Sequence, residues 1–343
     1  MARTKVLAMW RTLDPVHLER IAATSTAIEV IPALYRDPAL DSWLGSKPPA
    51  DAVRTVETWL ENFPKHIGDT EVIYGQRLPD EITTIAPKLR WVHSYGAGID
   101  PMPAPKMLAH GITITNSSPV NCPQISEFVM MYMLMHVKHG AQRVQDQAAR
   151  SWKHIGNQVL FDKTLGIVGP GRIGSNVARR AKAFDMRILA TRRTYSPGMT
   201  MEHVDELFPR SRLHQMLGQC DYVVVSTPLT TETRHMFSAA EFEAMKPGAF
   251  FMNVCRGSVV DEPALIRALK GGRLGGAGLD VFEKEPLSKE SELWGLPNVM
   301  LTPHSSNGIA DLTEKSVDFF CEQLQHYLAG QPLEAVVDPL KGY

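Results

Sequence analysis

The segment 164–174, TLGIVGPGRIG, decides the fold because it joins a short apolar run to a glycine-rich turn. Residues 164–168 are almost continuously apolar, as in a strand buried on both faces. Gly169, Gly171 and Gly174 then fit the pattern GxGxxG, between a predicted strand and a predicted helix. The first glycine allows a tight turn, the second admits a pyrophosphate, and the third lets the helix pack against the strand. The segment therefore predicts a dinucleotide-binding loop, with a plain strand–helix turn as the alternative.

Strand and helix patterns alternate on the C-terminal side of this loop. Further apolar runs occupy 187–191, 222–226, 249–254, 277–281 and 299–301. Helix signals lie between them: apolar residues recur at helical spacing from Ile173 to Phe184, Ser238 and Glu241 can form a capping box, and Asp261 can cap a helix that Gly271 ends. This alternation predicts an α/β domain with a doubly wound, Rossmann-type parallel sheet.

The N-terminal part repeats the alternation more weakly. Candidate strands are 6–9, 27–31, 72–74, 89–93 and 112–115, with a helix over 53–60. Two long helices are predicted, one over 124–139 that continues toward residue 150, and one over 309–328. We therefore expect a smaller, flavodoxin-like substrate domain over 1–118, completed by 309–343, and a dinucleotide-binding domain over 119–308. A cleft between them is the expected ligand site.

Composition narrows the function classes. A length of 343 residues fits two domains of ~150 residues each. The chain carries 36 basic and 37 acidic side chains, without the basic stripe of a nucleic-acid binder. The longest apolar run, 128–135, is far below the roughly 18 residues that span a bilayer. The four cysteines form no CxxC pair, so no metal site is predicted. We expect a cytoplasmic protein that acts on a small molecule.

The residues after the second strand of the glycine-loop domain bear on cofactor choice. An acidic residue there would bind the ribose hydroxyls of NAD, but this chain has Arg192 and Arg193. An arginine can pair with the 2′-phosphate of NADP. The sequence thus favours NADP(H), with NAD(H) also possible, and the alternative is that both arginines are a solvated strand end.

Three polar residues follow predicted strand ends in the second half of the chain: Arg256, Glu285 and His304. The carboxyl ends of parallel strands meet at one edge of a sheet, so these residues can converge. An arginine binds a carboxylate, a histidine delivers a proton near neutral pH, and a carboxylate fixes the histidine tautomer. Together they suit reversible reduction of a 2-keto acid. Taken singly, each could be a surface ion-pair partner, a turn carboxylate or a loop histidine.

With these motifs, the chain resembles the D-isomer-specific 2-hydroxyacid dehydrogenases over nearly its whole length. The resemblance rests on 91–100, the glycine loop, Pro228 with Thr233, the segments 253–257, 278–286 and 302–306 that contain Arg256, Glu285 and His304, and the closing 336–343. It implies an Arg256/Glu285/His304 triad and a homodimer joined through the cofactor domains. The arginine pair is similar to that of NADP-preferring glyoxylate and hydroxypyruvate reductases.

The resemblance also implies binding residues. The substrate carboxylate would be bound by Arg256 and by backbone N–H groups at Tyr95, Gly96, Ala97 and Gly98, and Asp280 would hold the nicotinamide carboxamide. The expected cofactor residues are Gly169, Gly171, Arg172, Ile173, Gly174, Arg192, Arg193, Thr227, Pro228, Thr233, Cys255 and Asp280.

Some residues depart from the family pattern, and some alternatives stay open. Cys255 stands where alanine is frequent, and Ser226 where histidine is frequent; neither touches the triad. Trp10 and Tyr95 could favour a substrate with an aromatic or aliphatic tail, close the pocket, or pack between domains. A non-enzymatic module that senses dinucleotide is the alternative function, and a formate- or phosphite-type dehydrogenase is a third.

Overall fold

The computed structural model describes residues 3–38, 40–41 and 50–338. The chain divides into two compact units, unit 1 over 1–121 with 309–343 and unit 2 over 122–308. Of the predicted closing motif 336–343, residues 339–343 lie outside the described part. In the described ranges, no helix is long and apolar enough to cross a membrane.

Unit 1 contains a parallel sheet of five strands in the order β2-β1-β3-β4-β5. The strands are β1 (Thr4–Met9), β2 (Ile28–Pro32), β3 (Val72–Gly75), β4 (Trp91–Ser94) and β5 (Thr113–Asn116). Its helices include α1 (Pro15–Ala22), α2 (Ala50–His66), α3 (Ile82–Ile85) and α4 (Ala104–Ala109). The alternation predicted from the weaker N-terminal pattern is therefore confirmed as an α/β sheet.

Buried side chains cover both faces of this sheet, because neighbouring strand residues point to opposite sides. Leu7 and Ile73 belong to one core cluster, and Val6 and Tyr74 belong to the other. The second cluster is completed by α11 (Leu312–Leu328), whose Phe320 stacks on Tyr74 with ring centroids 4.2 Å apart. A segment from the far end of the chain thus closes the core of unit 1.

Unit 2 contains a parallel sheet of seven strands in the order β12-β11-β10-β9-β6-β7-β8. The strands are β6 (Thr164–Val168), β7 (Arg187–Arg192), β8 (Glu206–Pro209), β9 (Tyr222–Val225), β10 (Ala249–Asn253), β11 (Leu274–Leu279) and β12 (Val299–Leu301). Its helices are α6 (Gly140–Ala148), α7 (Arg172–Lys182), α8 (Leu213–Leu217), α9 (Ala239–Ala244) and α10 (Glu262–Lys270), with most of α5 (Ser118–Val137).

Apolar clusters again lie on both faces of the sheet, with Val223 and Phe251 in one and Val224 and Phe250 in the other. The doubly wound architecture predicted for both halves is confirmed. The predicted helix caps are also present: Ser238 and Glu241 form the capping box of α9, and Asp261 caps α10.

The long helix predicted over 124–139 and beyond differs from the observed structure. α5 ends at Val137, and α6 starts at Gly140 after His139 takes a left-handed backbone, φ 51°. The carbonyl of Val137 accepts a hydrogen bond from Gln158 N–H at 3.0 Å instead of from the next helical turn. The segment that contains Gln158 therefore takes the hydrogen bond that the next helical turn would make. Apolar periodicity does not reveal such a contact.

Candidate active site

The glycine loop lies between β6 and α7, and its three glycines meet three different surroundings. Gly169 has φ +90°, and a Cβ there would lie 2.6 Å from Thr227 Cγ2. A Cβ on Gly174 would lie 2.8 Å from the Gly169 carbonyl oxygen. By contrast, a Cβ on Gly171 would meet nothing within 4 Å. The loop thus combines a tight turn, close helix packing and an open backbone position, as a pyrophosphate site requires.

Two further observations fit a dinucleotide at this loop. Gly171 is the N-cap of α7 and gives it no side-chain cap, so the N–H groups of the first turn are oriented for phosphate oxygens. The hydroxyl oxygens of Thr227 and Thr191 are buried and have no hydrogen-bond partner. The hydroxyl of Ser226 donates to the Gly169 carbonyl at 2.8 Å and so fixes the loop.

The two arginines predicted to select the cofactor lie at and just after the end of β7. Arg193 Nη1 is 3.6 Å from Glu232 Oε2, and Arg210 Nη1 is 3.4 Å from the same oxygen. Arg192 contacts the Met201 sulfur at 3.9 Å. A carboxylate oxygen therefore already lies between two guanidinium groups. Sequence reasoning missed Arg210 and Glu232, because nothing in their spacing connects them with β7.

The turn after β9 is held together by Thr233. Its hydroxyl donates to the Pro228 carbonyl at 2.7 Å and accepts from Thr230 N–H at 2.8 Å. Cys255 follows β10 and is buried, and burial raises the pKa of its thiol to about 11. Its sulfur donates to Asn253 Oδ1 at 3.1 Å. The cysteine is thus a packed, protonated group at physiological pH.

Glu285 and His304 form a hydrogen-bonded pair in unit 2. His304 Nδ1 lies 2.7 Å from Glu285 Oε2, while Glu285 Oε1 accepts from Phe282 N–H at 3.0 Å. Burial alone would raise the pKa of Glu285, but the hydrogen bonds from His304 and Phe282 and the charges of His304 and Arg256 hold it below its ordinary value. The carboxylate is therefore ionised at neutral pH and can stabilise an imidazolium.

Arg256 lies immediately after Cys255, and its Nη1 donates to the Cys255 carbonyl at 2.7 Å. Its charge is one of the causes that hold the pKa of Glu285 below the ordinary value. Close packing fixes the next residue, since a Cβ on Gly257 would overlap the backbone of Phe282. The segment that follows β10 therefore lies against the segment that leads to Glu285.

Asp280 is fully buried and accepts hydrogen bonds from the loop that carries His304. Its Oδ1 accepts from Thr302 Oγ1 at 2.6 Å and from Ser305 N–H at 2.8 Å, and its Oδ2 accepts from Ser306 N–H at 3.0 Å. The peptide N–H of His304 donates to the Asp280 carbonyl at 2.8 Å. Asp280 therefore fixes this loop, a role that the sequence did not predict.

The predicted carboxylate-binding segment, Tyr95 to Gly98, lies in unit 1. Gln76 Nε2 donates to the Gly98 carbonyl at 2.8 Å, and Gly96 N–H donates to Ser94 Oγ at 3.3 Å. Tyr95 stacks on Trp10 at a centroid distance of 4.4 Å, and burial raises the pKa of its hydroxyl. The segment is therefore a braced turn after β4.

Comparisons with known proteins identify the family. Residues 130–306 match the model of the D-isomer specific 2-hydroxyacid dehydrogenase NAD-binding domain. A glyoxylate reductase of Thermococcus gammatolerans is 38% identical over 262 residues, which cover 72% of this chain and 77% of the relative.

Two solved structures are similar over nearly the whole chain. A D-isomer specific 2-hydroxyacid dehydrogenase family protein of Aeromonas salmonicida has a TM-score of 0.75 and 30% identity, and the match covers 99% of this chain and 100% of the other. An NADPH-dependent glyoxylate/hydroxypyruvate reductase of Sinorhizobium meliloti, solved with NADP and sulfate, has a TM-score of 0.76 and 27% identity, with coverage of 99% and 100%. The chain therefore belongs to the D-isomer specific 2-hydroxyacid dehydrogenase family, and it is an NAD(P)-dependent oxidoreductase of 2-hydroxy and 2-keto acids.

Proposed function

We propose that this protein is an NADP(H)-preferring reductase of a small 2-keto acid, of the glyoxylate and hydroxypyruvate class. The observation that carries the proposal is the position of Glu232 between Arg193 and Arg210, because these two side chains already hold an anionic oxygen beside the end of β7. A 2′-phosphate offers the same chemistry with more charge. The substrate class is supported by similarity to reductases named for glyoxylate and hydroxypyruvate.

The catalytic roles follow from the contacts of the pair. His304 Nδ1 is bonded to Glu285, which leaves Nε2 to carry the proton that goes to the keto oxygen. Bound NAD(P)H supplies the hydride that goes to the keto carbon. Glu285 stabilises the imidazolium before transfer, and Arg256 binds the substrate carboxylate and polarises the carbonyl. In the oxidation direction, His304 accepts the same proton.

The binding roles extend the same proposal. The backbone N–H groups at Tyr95, Gly96, Ala97 and Gly98 would bind the substrate carboxylate. The glycine loop with Arg172 and Ile173 would bind the pyrophosphate, and Thr227, Pro228, Thr233 and Cys255 would line the dinucleotide site. Asp280 Oδ2 would accept a hydrogen bond from the nicotinamide carboxamide, because Oδ2 accepts fewer hydrogen bonds within the protein than Oδ1.

The proposal extends to a substrate-binding domain over 1–118 with 309–343, a cofactor domain over 119–308, and a cytoplasmic homodimer. Four cysteines with free thiols suit a reducing compartment. From α6 to the start of β6, unit 2 exposes Val144, Trp152, Val159 and Phe161, with Trp152 96% exposed. Clustered apolar exposure is typical of protein interfaces. Sedimentation should give twice the chain mass of 38.1 kDa, and Trp152→Glu should shift it toward the monomer; a monomeric wild type would contradict the dimer.

The direct test compares initial rates with NADPH and NADH over a panel of keto acids. The panel contains glyoxylate, hydroxypyruvate, pyruvate, 2-ketoisocaproate and phenylpyruvate. We expect NADPH to give at least a tenfold higher kcat/KM, about 1.4 kcal/mol, and glyoxylate and hydroxypyruvate to be the preferred acids. Equal use of NADH would contradict the cofactor preference, and faster turnover of phenylpyruvate would contradict the substrate class.

A further inference from the structure

Tyr132 on α5 reaches the loop that carries His304 although it lies far from it in sequence. Its side chain is fully buried, and its hydroxyl oxygen is 2.5 Å from Thr302 Oγ1. Thr302 Oγ1 is in turn 2.6 Å from Asp280 Oδ1. Three side chains, one from α5 and one each from the segments that follow β11 and β12, thus form a continuous hydrogen-bonded series.

The direction of these hydrogen bonds follows from Asp280, the acceptor at the end of the series. Asp280 also accepts from the peptide N–H groups of Ser305 and Ser306, so its carboxylate acts as an acceptor throughout. Thr302 therefore donates its hydroxyl proton to Asp280 and accepts from Tyr132. Burial raises the pKa of Tyr132, so the phenol retains the proton that it donates.

The backbone at His304 needs this support. His304 has φ +49°, a left-handed conformation that costs about 1–2 kcal/mol for a residue with a side chain. Hydrogen bonds to Asp280 fix the peptide groups on both sides of it, at His304 N and Ser305 N. His304 N–H donates to the backbone carbonyl of Asp280 and Ser305 N–H donates to its carboxylate, so the position of the imidazole depends on Asp280.

Packing holds the tyrosine ring in one place. A Cβ added to Gly278, on β11, would lie 2.5 Å from Tyr132 Cγ, so the ring lies directly against the strand that leads to Asp280. A ring fixed in this way can define where Thr302 and Asp280 lie.

We propose that Tyr132 is a positioning residue for His304, acting through Thr302 and Asp280. The inference rests on the proposed role of His304 as proton donor. Tyr132 then determines how well the imidazole is oriented for proton transfer, while substrate and cofactor contacts belong to other residues.

Tyr132→Phe tests the inference because it removes one oxygen and keeps the ring. We expect kcat to fall about tenfold. Thr302→Val should reproduce this fall. Thr302→Ser keeps the hydroxyl and should therefore keep the wild-type kcat. Tyr222→Phe is the matched control, since that buried hydroxyl bonds to His136 at 3.0 Å in the same unit and lies outside the series.

A double-mutant cycle separates positioning from general destabilisation. In a His304→Gln background, Tyr132→Phe should have no further effect on the residual rate, because the group being positioned is gone. An equal loss in both backgrounds, or an equal loss from Tyr222→Phe, would overturn the inference. If His304→Gln keeps wild-type kcat, the role proposed for His304 fails first, and the inference fails with it.

A measurement on the cofactor-free protein gives an independent readout. The side-chain ¹H–¹⁵N resonances of His304, identified by their absence in His304→Gln, should shift in Tyr132→Phe and stay unchanged in Tyr222→Phe. Unchanged resonances in both variants would overturn the inference whatever the kinetics show.

Discussion

His304 and Glu285 are joined by a 2.7 Å hydrogen bond between Nδ1 and Oε2, and this bond forms within unit 2 alone. The side chains remain 42% and 35% exposed, so the pair is ordered and still open to a small ligand. The tautomer of His304 is thus fixed before any ligand binds.

The first prediction concerns Glu285→Gln. The amide cannot neutralise an imidazolium, so we expect kcat for keto-acid reduction to fall by about 10²-fold or more. Reduction needs the protonated histidine, and in the variant no carboxylate stabilises its charge. Initial rates at saturating substrate and cofactor measure kcat, and a variant that keeps the wild-type kcat would contradict the role given to Glu285.

On the acid side, the wild-type pair should persist. The pKa of Glu285 is held below its ordinary value of 4.5, so the carboxylate loses its charge only when the pH falls below that value. Glu243 is an exposed carboxylate that pairs with Arg273 on the surface. Glu243→Gln is therefore the control, and the pH profile of this variant should match that of the wild type.

The second prediction concerns Arg193→Ala. Removing the guanidinium should raise KM for NADPH about tenfold, a loss of about 1.4 kcal/mol, because a 2′-phosphate loses a paired donor. KM for NADH should stay within twofold of the wild type, since that cofactor carries no 2′-phosphate.

Arg187→Ala is the matched control for this change. Arg187 begins the same strand, β7, and pairs with Glu206 at 3.0 Å at the opposite end from Arg193. Its removal should leave both KM values unchanged. If Arg193→Ala weakens NADH as much as NADPH, the arginine does not select the phosphate.

The third prediction compares two glycines of one loop. In Gly174→Ala the new methyl group would lie 2.8 Å from the Gly169 carbonyl oxygen, so we expect a loss of about 1–3 kcal/mol in the free energy of unfolding. Gly171→Ala meets nothing within 4 Å and should keep its stability while binding NADPH less tightly. Thermal unfolding and fluorescence titration with NADPH measure the two effects, and a stable Gly174→Ala variant would show that the helix can shift.

The fourth prediction concerns acid stability in unit 1. His93 is fully buried, and burial lowers its pKa to about 3 from 6.5. Below pH 6.5 His93 binds a proton in the unfolded chain and stays neutral in the folded chain. Its contribution to the free energy of unfolding is therefore fully present above this pH and is lost as the pH falls toward 3. The slope should reach about 1.4 kcal/mol per pH unit.

His93→Gln should remove this contribution to the slope, because glutamine does not titrate. The hydrogen bonds of His93 to Thr115 at 2.6 Å and to Ser117 at 3.0 Å are of a kind that glutamine can form. Urea unfolding at pH 7, 6 and 5, followed by the fluorescence of the adjacent Trp91, gives the two slopes. Equal slopes would show that His93 is not the group responsible.

Much of the fold could be predicted because its determinants are local. Apolar runs marked most strands of unit 2, and the caps at Ser238 and Asp261 marked two helices. The edge strand β8 was missed because its four residues, 206–209, begin with glutamate and end with proline. The break at His139 was missed because it depends on Gln158, which is distant in sequence.

The candidate site divides in the same way. The glycine loop and the Glu285–His304 pair belong to segments whose residue types indicate their chemistry. The contact of Tyr132 with Thr302 depends on the packing of α5 against β11, and apolar periodicity shows only that Tyr132 is buried. The meeting of Arg193 and Arg210 at Glu232 likewise requires the strand order.

The discontinuity of unit 1 has a consequence for synthesis on the ribosome. Domains generally fold as units while the chain emerges, N-terminal parts first. Here residues 1–121 emerge early but still lack α11, whose Phe320 covers Tyr74 and Trp91. Unit 2 is contiguous and can fold as soon as residue 308 has emerged. The N-terminal sheet is therefore made first and completed last, and until α11 arrives it exposes an aromatic surface on which chaperones can act.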